Sequence, residues 1–290
     1  MIRVSVHEKH FNRMRLGNAL FTVLAVLIFA FLLAPLLVVI PLSFNAEPYF
    51  TFTAKMLSLD PDGFSLRWYR DIVENPQWLE AIGNSLVIAL ASTTLATALG
   101  TLAAIGLARN TMPWRDFFMA ILISPLVVPI VISAAGMYFF YSDIGLAQTH
   151  SGIILAHTAL GVPFVVITMT ATLSGFDNNL LKAAASLGAG PVTAFFRVTL
   201  PLVAPGMISG ALFAFAASFD EVVAVLFLGG PDQRTVPRQM WSGIREQISP
   251  TILAVATLLI VFSSLLLLAI ELLRRRQSHP VAIVDQSRAG

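Results

Sequence analysis

Two adjacent acids, Asp220 and Glu221, are the residues of this chain whose type and position could do chemistry. They lie late in an apolar run at 202–228. Exposing a carboxylate to lipid costs at least a few kcal/mol, so acids at such depth face a cavity or a partner helix. Two carboxylates beside a passage would also lower the barrier to moving a cation through a low-dielectric region. If the solute is a cation, the pair is therefore a candidate for a translocation pathway, and we include the neighbouring Phe219 and the more distant Asn84 in that candidate pathway.

A structural role for the same acids is the alternative. They could cap a broken helix, or pair with Arg234 or Arg238 in the loop that follows. If the helix is regular, its small residues form a stripe at every fourth position, namely Gly206, Gly210, Ala214 and Ser218. At about 100° per residue, Glu221 then lies within the stripe and Asp220 at its flank. A break near Ser218 would void this assignment. His157 is interpreted as a packed helix residue, with a polar role in the helix seam as the alternative.

Other kinds of chemistry lack the residues that they need. The chain has no cysteine, which excludes disulfides, thiolate metal sites and a cysteine nucleophile. It has no G-x-x-x-x-G-K-S/T phosphate loop, no G-x-G-x-x-G after a strand, and no cluster with metal-ligand spacing. We therefore predict that this chain is not an enzyme and holds no cofactor. If it drives active transport, another chain supplies the energy.

The composition places these residues in a membrane. Of the 290 residues, 57% are hydrophobic and 12% are charged, whereas soluble domains have about 45–50% and about 25%. A bilayer-spanning helix needs about 20 apolar residues. Six runs are long enough, at about 18–43, 82–108, 117–141, 152–174, 202–228 and 250–273. We therefore predict an all-α membrane protein with six transmembrane helices, the first an uncleaved span and the third kinked by Pro125 and Pro129.

The basic residues set the predicted orientation. Most of the 18 Lys and Arg fall on one side of the predicted spans, and that side is cytoplasmic by the positive-inside rule. Both termini are then cytoplasmic. The net charge of +2 comes from residues that flank spans, which indicates lipid rather than nucleic acid as a partner. The predicted organisation is a cytoplasmic lead 1–17, a first span 18–43, an extracytoplasmic loop 44–81, a five-span core 82–273 and a cytoplasmic tail 274–290.

A polar-edged, helix-prone segment at 181–201 lies between two apolar runs, on the predicted cytoplasmic face. Residues 182–187 favour a helix, and Gly188 interrupts it. Pro191 can begin a second helix, because its missing N–H is not needed at a first helical position, and Pro201 then begins the fifth span. We predict a helix–turn–helix whose three alanines at 183–185 offer a small docking surface. A plain interfacial linker is the alternative.

This segment resembles the cytoplasmic coupling motif of ABC importer permeases. In that motif Glu-Ala-Ala is followed, after three residues, by Gly, and by Pro thirteen positions beyond the Gly. Ala183, Ala184, Gly188 and Pro201 match these positions, whereas Lys182 replaces the acid and with it the salt bridge or cap that the acid supplies. The resemblance implies an ATPase-coupling role for Lys182, Ala183, Ala184, Gly188, Ala189, Pro191 and Pro201.

The resemblance extends from about residue 44 to residue 273. Four short motifs are similar to the spermidine/putrescine-type branch: Ser-Phe-Asp-Glu at 218–221, Gly-Pro at 230–231, Thr-Val-Pro at 235–237 and Ser-Pro at 249–250. It implies the type I ABC importer permease fold in a bacterial inner membrane. It also implies a second homologous permease subunit, two cytoplasmic ATPase subunits that bind ATP and magnesium, and an extracytoplasmic substrate-binding protein.

The solute that the resemblance implies is a small amine such as spermidine or putrescine, and an opine, 4-aminobutyrate or another small amine is the alternative. Two other classes of function stay open from the sequence alone. One is an ion-coupled secondary transporter in which Asp220 or Glu221 titrates. The other is a structural or enzyme-anchoring membrane protein.

Overall fold

A computed structural model describes residues 4–109, 112–246 and 249–277. The chain divides into two compact units. The first consists of Met1–Ile72 and Ser249–Ile260, and the second of Val73–Ile248 and Val261–Gly290. The predicted tail 274–290 lies outside the described residues beyond Gln277, and so does the beginning of the predicted lead 1–17.

The first unit holds a long helix and a structured loop. Helix α1 (Val4–Leu42) continues unbroken from the predicted lead into the first span, so the two form one element. The loop after it contains α2 (Ala54–Leu57) and leads into α3 (Arg67–Glu74). Asn45 organises this loop, because its Nδ2 donates to the carbonyls of Tyr49 (3.0 Å) and Thr51 (3.1 Å). The predicted extracytoplasmic loop is therefore a folded element rather than a loose connection.

The second unit contains nine helices within its described residues. They are α4 (Pro76–Leu107), α5 (Arg115–Val127), α6 (Ile130–Asp143), α7 (His150–Ser174), α8 (Asn179–Ser186), α9 (Pro191–Ala194), α10 (Leu200–Phe219), α11 (Val223–Leu228) and α12 (Val236–Glu246). The last helix, α13 (Thr251–Gln277), begins in the first unit and ends in the second. The predicted all-α class is confirmed over the described residues.

Five stretches of helix are long and apolar enough to cross a membrane within the part of the chain that the structure describes. They are Leu20–Leu42, Pro76–Leu107, His150–Ser174, Pro191–Phe219 and Thr251–Leu272. Helices α5 and α6 make a sixth if they count as one span, but they are bent by 103°. The predicted third span, 117–141, is therefore broken rather than kinked. Val128 is extended (φ −72°, ψ 131°), because the proline that follows it disfavours helical backbone.

Helices α4, α7 and α10 form the packed centre of the second unit. Small residues let their backbones approach closely, as is common between helices in lipid. Gly161 of α7 lies between Ala96 of α4 and Ala214 of α10, and a Cβ at Gly161 would be 3.2 and 3.3 Å from their side chains. The stripe predicted on the fifth span thus faces α7.

Gly100 is the glycine of α4 that has the least space for an added side chain. A Cβ at this position would lie 2.7 Å from Cβ of Val165. We expect Gly100→Ala to destabilise the purified chain in detergent by about 1 kcal/mol or more, as overpacking does. Gly83 of the same helix is the matched control, since a Cβ there meets nothing within 4 Å. Thermal unfolding should show a lower melting temperature for Gly100→Ala only, and equal values for the two variants would contradict the close packing.

Candidate functional site

The two acids lie at a break in the helix rather than within a regular one. Helix α10 ends at Phe219, Asp220 follows as its C-terminal cap residue, and α11 begins only at Val223. The predicted span at 202–228 is therefore interrupted. The placement of Glu221 in the stripe and of Asp220 at its flank is wrong, because it required a helix that continues past both.

Glu221 caps the short helix that follows the break. Its Oε1 accepts a hydrogen bond from the backbone N–H of Ala224 at 2.9 Å. The first N–H groups of any helix lack partners within that helix, so this carboxylate satisfies one of them and favours the start of α11. The capping alternative raised for the acids is thus found for Glu221.

Asp220, in contrast to Glu221, does not cap a helix with its carboxylate. It is exposed, and within the described part of the chain its side chain forms no hydrogen bond or ion pair. The predicted pairing with the two arginines is not found. Arg238 donates to the Gly230 carbonyl at 2.6 Å, and Arg234 lies 3.4 Å from Oε1 of Gln239. A carboxylate free of intramolecular partners can interact with a solute.

A buried polar cluster lies in the last turn of α10, directly before the break. Oγ of Ser218 is 2.8 Å from Nδ1 of His157 and 2.9 Å from Oγ of Ser92. These residues come from α10, α7 and α4, and all are at least nine-tenths buried. His157 is therefore packed and also has the polar role in the seam that was its alternative. The cluster therefore joins the last turn of α10 to α4 and α7.

The remaining candidates of the pathway have structural contacts. Phe219 stacks on Phe215, with ring centroids 5.6 Å apart, and its centroid is 5.0 Å from that of Phe262. Asn84 has both halves of its amide engaged. Its Nδ2 donates to the carbonyls of Asp232 (2.9 Å) and Arg234 (3.0 Å), and its Oδ1 is 3.0 Å from Nε2 of His150. The structure therefore keeps Phe219 beside the acids and engages Asn84 with the loop after α11.

The bonds of Asn84 predict a local effect of its removal. We expect Asn84→Ala to loosen residues 230–236, because two backbone carbonyls and one imidazole lose their partner. Individual hydrogen bonds contribute about 1 kcal/mol, so amide hydrogen exchange of Gly230 and Val236 should quicken by about tenfold. In Ser85→Ala, which removes the 2.8 Å acceptor of the Val236 N–H, only the Val236 amide should exchange faster. Unchanged exchange in Asn84→Ala would exclude a role of Asn84 in holding residues 230–236 in place.

The predicted helix–turn–helix is present in the segment at 181–201. Helix α8 ends in a Schellman motif, in which the N–H of Ala189 donates to the Ala184 carbonyl (3.0 Å) and that of Gly188 to the Ala185 carbonyl (2.9 Å). Gly188 has a φ of +80°, and a Cβ there would meet nothing within 4 Å. Glycine is therefore required for its backbone conformation and not for space.

The second helix of the segment begins at Pro191, which confirms that prediction. Pro201, however, does not begin a span. Helical backbone continues from α9 through a π-helical turn at Phe195–Thr199 into α10, so that Pro191–Phe219 is one span. Pro201 therefore lies inside a continuous helix, directly after the π-helical turn, and local π adjustments of this kind accommodate a proline within a membrane helix.

The exposed surface of the segment differs from the predicted one. Ala184 is buried, with 9% of its surface exposed, whereas Ala183, Ala185 and Lys182 are exposed. The Nζ of Lys182 is 3.4 Å from Oδ1 of Asn179 on the same helix. The predicted surface of three alanines is therefore wrong at its centre, because Ala184 turns toward the rest of the chain.

Large apolar residues, missed from the sequence, are the conspicuous exposed groups of the segment. Leu187 is 88% exposed, Val192 68% and Phe196 60%. The signal that could have revealed Leu187 is its position directly before Gly188, where no helical neighbour can cover it. Exposed apolar side chains of this size mark a site of protein or membrane interaction.

Comparison with known proteins agrees with this arrangement. Residues 96–279 match the family described as the binding-protein-dependent transport system inner membrane component. The spermidine/putrescine transport system permease protein PotC of Haemophilus influenzae is 31% identical over 252 residues, covering 87% of this chain and 95% of that protein. The putrescine transport system permease protein PotI of Escherichia coli is 32% identical over 276 residues, covering 92% and 95%.

Solved structures show the same fold. A chain of the bacterial ABC transporter involved in the import of the acidic polysaccharide alginate has a TM-score of 0.68 at 14% identity, covering 89% of this chain and 96% of that one. A chain of the MetNI methionine ABC transporter in an inward-facing conformation has a TM-score of 0.56 at 17% identity, covering 68% and 94%. The family match covers more than half of the chain, and the chain covers both relatives almost entirely. The chain therefore belongs to the binding-protein-dependent inner membrane components, which are the permease subunits of ABC importers and whose ATPase is a separate subunit.

Proposed function

We propose that this permease forms half of the translocation pathway of an importer for a small polyamine such as putrescine or spermidine. The single observation that carries the proposal is Asp220, an acid without intramolecular partner among the described residues, at a break in a membrane helix. The names of the relatives support the solute class, since PotC and PotI are described as spermidine/putrescine and putrescine permeases. A carboxylate at that point offers a counter-charge to an ammonium group.

The complete importer in this proposal contains five chains. A second homologous permease forms the other half of the pathway, and two cytoplasmic ATPase subunits bind ATP and magnesium. An extracytoplasmic protein delivers the solute. Transporters with the same fold support such an assembly, because one solved alginate importer is in complex with a periplasmic protein bound to an alginate pentasaccharide.

Alternating access follows from these parts. When ATP draws the two ATPase subunits together, segment 181–201 moves with them. Because helical backbone continues from Pro191 to Phe219, the movement passes along α10 to the break that carries Asp220. The cluster around Ser218 ties the same end of α10 to α4 and α7. Segment 181–201 thus leads into one end of this continuous helix, and Asp220 follows its other end.

Reconstitution tests this function directly. We expect proteoliposomes that contain the five chains to accumulate radiolabelled putrescine when ATP is enclosed with the ATPases. Uptake should require the binding protein and persist when a protonophore removes the proton gradient. Uptake that needs the gradient but not ATP would overturn the proposal in favour of ion coupling. Competition by unlabelled spermidine but not by 4-aminobutyrate separates a polyamine from the alternative solutes.

A further inference from the structure

Two arginines without an acidic partner lie just before α12 and in its first turn. Arg238 is half-buried, and its Nη1 donates to the Gly230 carbonyl at 2.6 Å. Arg234 is also half-buried, and its Nη1 is 3.4 Å from Oε1 of Gln239. Neither guanidinium forms an ion pair with a described residue. Since each guanidinium has five N–H donors, most donors of the pair are open to another group.

The positive charge of this pair is not offset locally. Burial, and after it the charge of Arg234, lower the pKa of the Arg238 guanidinium. The neighbouring charge therefore disfavours the charged form of Arg238. The first turn of α12 holds no acid, although the start of a helix favours negative charge and disfavours positive charge. An anion bound by the two guanidinium groups would relieve both effects.

Two further residues extend the pair along one side of α12. Trp241 and Arg245 follow Arg238 at the third and seventh positions, so the three share one helix face. Trp241 is 47% exposed and Arg245 is exposed, whereas Gln239 is buried on the side that packs against α4. Arginine and tryptophan are enriched where proteins bind each other. We define the basic face of this permease as Arg234, Arg238, Trp241 and Arg245.

The backbone that carries the two arginines is held in place by the chain itself. The N–H of Val236 donates to Oγ of Ser85 at 2.8 Å. A Cβ at Gly229 would lie 2.6 Å from Nη1 of Arg238, so the arginine lies directly against the backbone of this glycine. Groups that are fixed before binding lose little conformational entropy when a partner arrives.

The basic face lies at the end of the packed helices that is opposite segment 181–201. Asn84 near the start of α4 binds the loop at residues 230–236 and also contacts His150 at the start of α7. Helix α7 has 25 residues, and its other end leads to segment 181–201. Its length of about 37 Å is sufficient to cross the hydrocarbon core of a bilayer. The basic face is therefore on the side from which an importer receives its solute.

The acid proposed for the pathway lies deeper than the basic face. Ser218, two residues before Asp220, contacts His157, which follows His150 along α7 by about 10 Å. A solute that arrives from the outer side therefore passes the level of the basic face before it reaches Asp220. Because arginines repel an ammonium group, they do not bind this solute itself. Their ligand is an anion that is present when the solute is delivered.

Carboxylates of a protein and phosphates of lipid headgroups are the anions that arginine binds through two parallel hydrogen bonds. A protein is the better fit here. The loop of the basic face is bound to α4 and α7, which belong to the packed centre of the unit, whereas lipid headgroups surround its periphery.

We propose that the basic face binds acidic side chains of the extracytoplasmic binding protein and thereby docks that protein on this subunit. This inference rests on the proposed function, to which it adds the docking surface and its chemistry. Arg234 and Arg238 are the central contacts, and Trp241 and Arg245 extend them. Because the arginines repel a cationic solute, the contact holds the protein without retaining what it delivers.

Binding of the putrescine-loaded binding protein to the assembled importer tests the basic face. We expect Arg234→Gln and Arg238→Gln combined to weaken this binding by about tenfold or more, as the loss of close charge pairs between proteins does. The measurement is made in dodecyl maltoside, which has no phosphate, and in one nucleotide state throughout. Added NaCl should weaken the binding of the wild type more than that of the double variant, because salt screens charges.

Lys55→Gln and Arg70→Gln combined are the matched control. Both residues are exposed in the predicted extracytoplasmic loop and belong to the other compact unit, so the net charge changes equally but outside the basic face. Binding should stay within about twofold of the wild type, since single exposed charges contribute little. Arg245→Glu is a second test, because this side chain forms no hydrogen bond with a described residue. It should weaken binding by about tenfold.

The outcomes separate docking from a structural role of the arginines. If the double variant and Arg245→Glu both bind as the wild type does, the basic face is overturned. A loss confined to the double variant supports the basic face if amide hydrogen exchange of Gly230 is unchanged, and overturns it if that exchange quickens, because a loosened loop then explains the loss. Equal weakening in the matched control would assign the effect to net charge and overturn the basic face as well.

The lipid alternative and the proposed function have outcomes of their own. A difference between wild type and double variant that occurs in phospholipid nanodiscs but not in detergent would assign the arginines to lipid headgroups and overturn the docking surface. A wild type that imports putrescine while the basic face fails these tests leaves the proposed function standing. A wild type that binds the loaded protein but imports no polyamine overturns the proposed function and not the docking surface.

Discussion

Replacement of Leu187 by Asp is expected to abolish the stable association of this permease with its ATPase subunits. Leu187 is 88% exposed and directly follows α8, at the turn that Gly188 closes. If segment 181–201 docks on the ATPase subunits, as we propose, the exposed leucine at its turn is stabilised when the partner covers it. Burying a carboxylate in that contact would cost far more than the leucine gains. We expect a loss of about 2 kcal/mol or more, as for a central interface residue, which is roughly thirtyfold in affinity.

Co-purification in detergent measures this loss. The ATPase subunits should elute with the wild-type permease and separate from the Leu187→Asp variant. Leu187→Met is the matched control, because it keeps an apolar side chain of similar volume, and it should retain the complex. Circular dichroism of the Asp variant should match that of the wild type, since Leu187 is largely uncovered within the chain. A Leu187→Asp permease that retains its ATPases would contradict this role.

The sequence pointed to the alanines around Ala184 as the docking surface, whereas the structure points to Leu187. The helix–turn–helix at 181–201 was predicted correctly, because a residue with positive φ after a helix and a proline that starts the next one are local properties of the chain. The coupling role of this segment stays a proposal, and the motif spacing says nothing of its side-chain packing. It could not show that Ala184 is buried. Burial of one side chain among three adjacent alanines depends on how α8 packs, which no local pattern encodes. Large residues at Ala184 would therefore disturb the fold before they disturbed docking.

In the membrane helices, too, features that depend on local sequence were predicted, and features that depend on contacts between distant residues were not. Hydropathy predicted the number and approximate positions of the apolar runs, because each run needs only its own composition. It could not locate the end of α10 at Phe219, since apolar residues continue to Leu228. The residue directly before that end, Ser218, contacts His157 and Ser92, which are 61 and 126 positions away, and no local pattern encodes such contacts. The sharp bend at Pro129 was similarly underestimated, because a proline predicts a break but not its angle.

The cost of acids in lipid was sufficient to single out Asp220 and Glu221, but not to distinguish them. The two are adjacent, equally charged and equally unusual in an apolar run. The structure separates them by their partners: Glu221 accepts the N–H of Ala224, whereas Asp220 has no side-chain bond among the described residues. The structure therefore gives Glu221 the capping role, and it leaves Asp220 as the acid for which we propose the pathway role.

Asp220→Asn is consequently expected to impair uptake of a polyamine far more than Glu221→Gln. Two unit charges 4 Å apart interact by about 4 kcal/mol at an effective dielectric constant of 20. Solvent screening of the exposed Asp220 weakens this attraction. We therefore expect Asp220→Asn to lose about half of that interaction energy. That is roughly a thirtyfold fall in kcat/KM for putrescine in proteoliposomes. Assembly with the ATPases should not change, because Asp220 holds no other described residue in place.

Glu221→Gln provides the control that separates charge from capping. Glutamine retains a side-chain oxygen that can accept the Ala224 N–H, so α11 keeps its start and uptake should stay within about twofold of the wild type. Glu221→Ala removes the cap as well, which should cost about 1 kcal/mol and lower the melting temperature of the purified chain. If Glu221→Gln loses uptake and Asp220→Asn does not, the pathway charge belongs to Glu221. The capping bond uses only Oε1 of Glu221, and an ionised carboxylate has a second oxygen that can accept a hydrogen bond, so Oε2 would then be the atom that meets the passing ammonium group while Oε1 holds the start of α11.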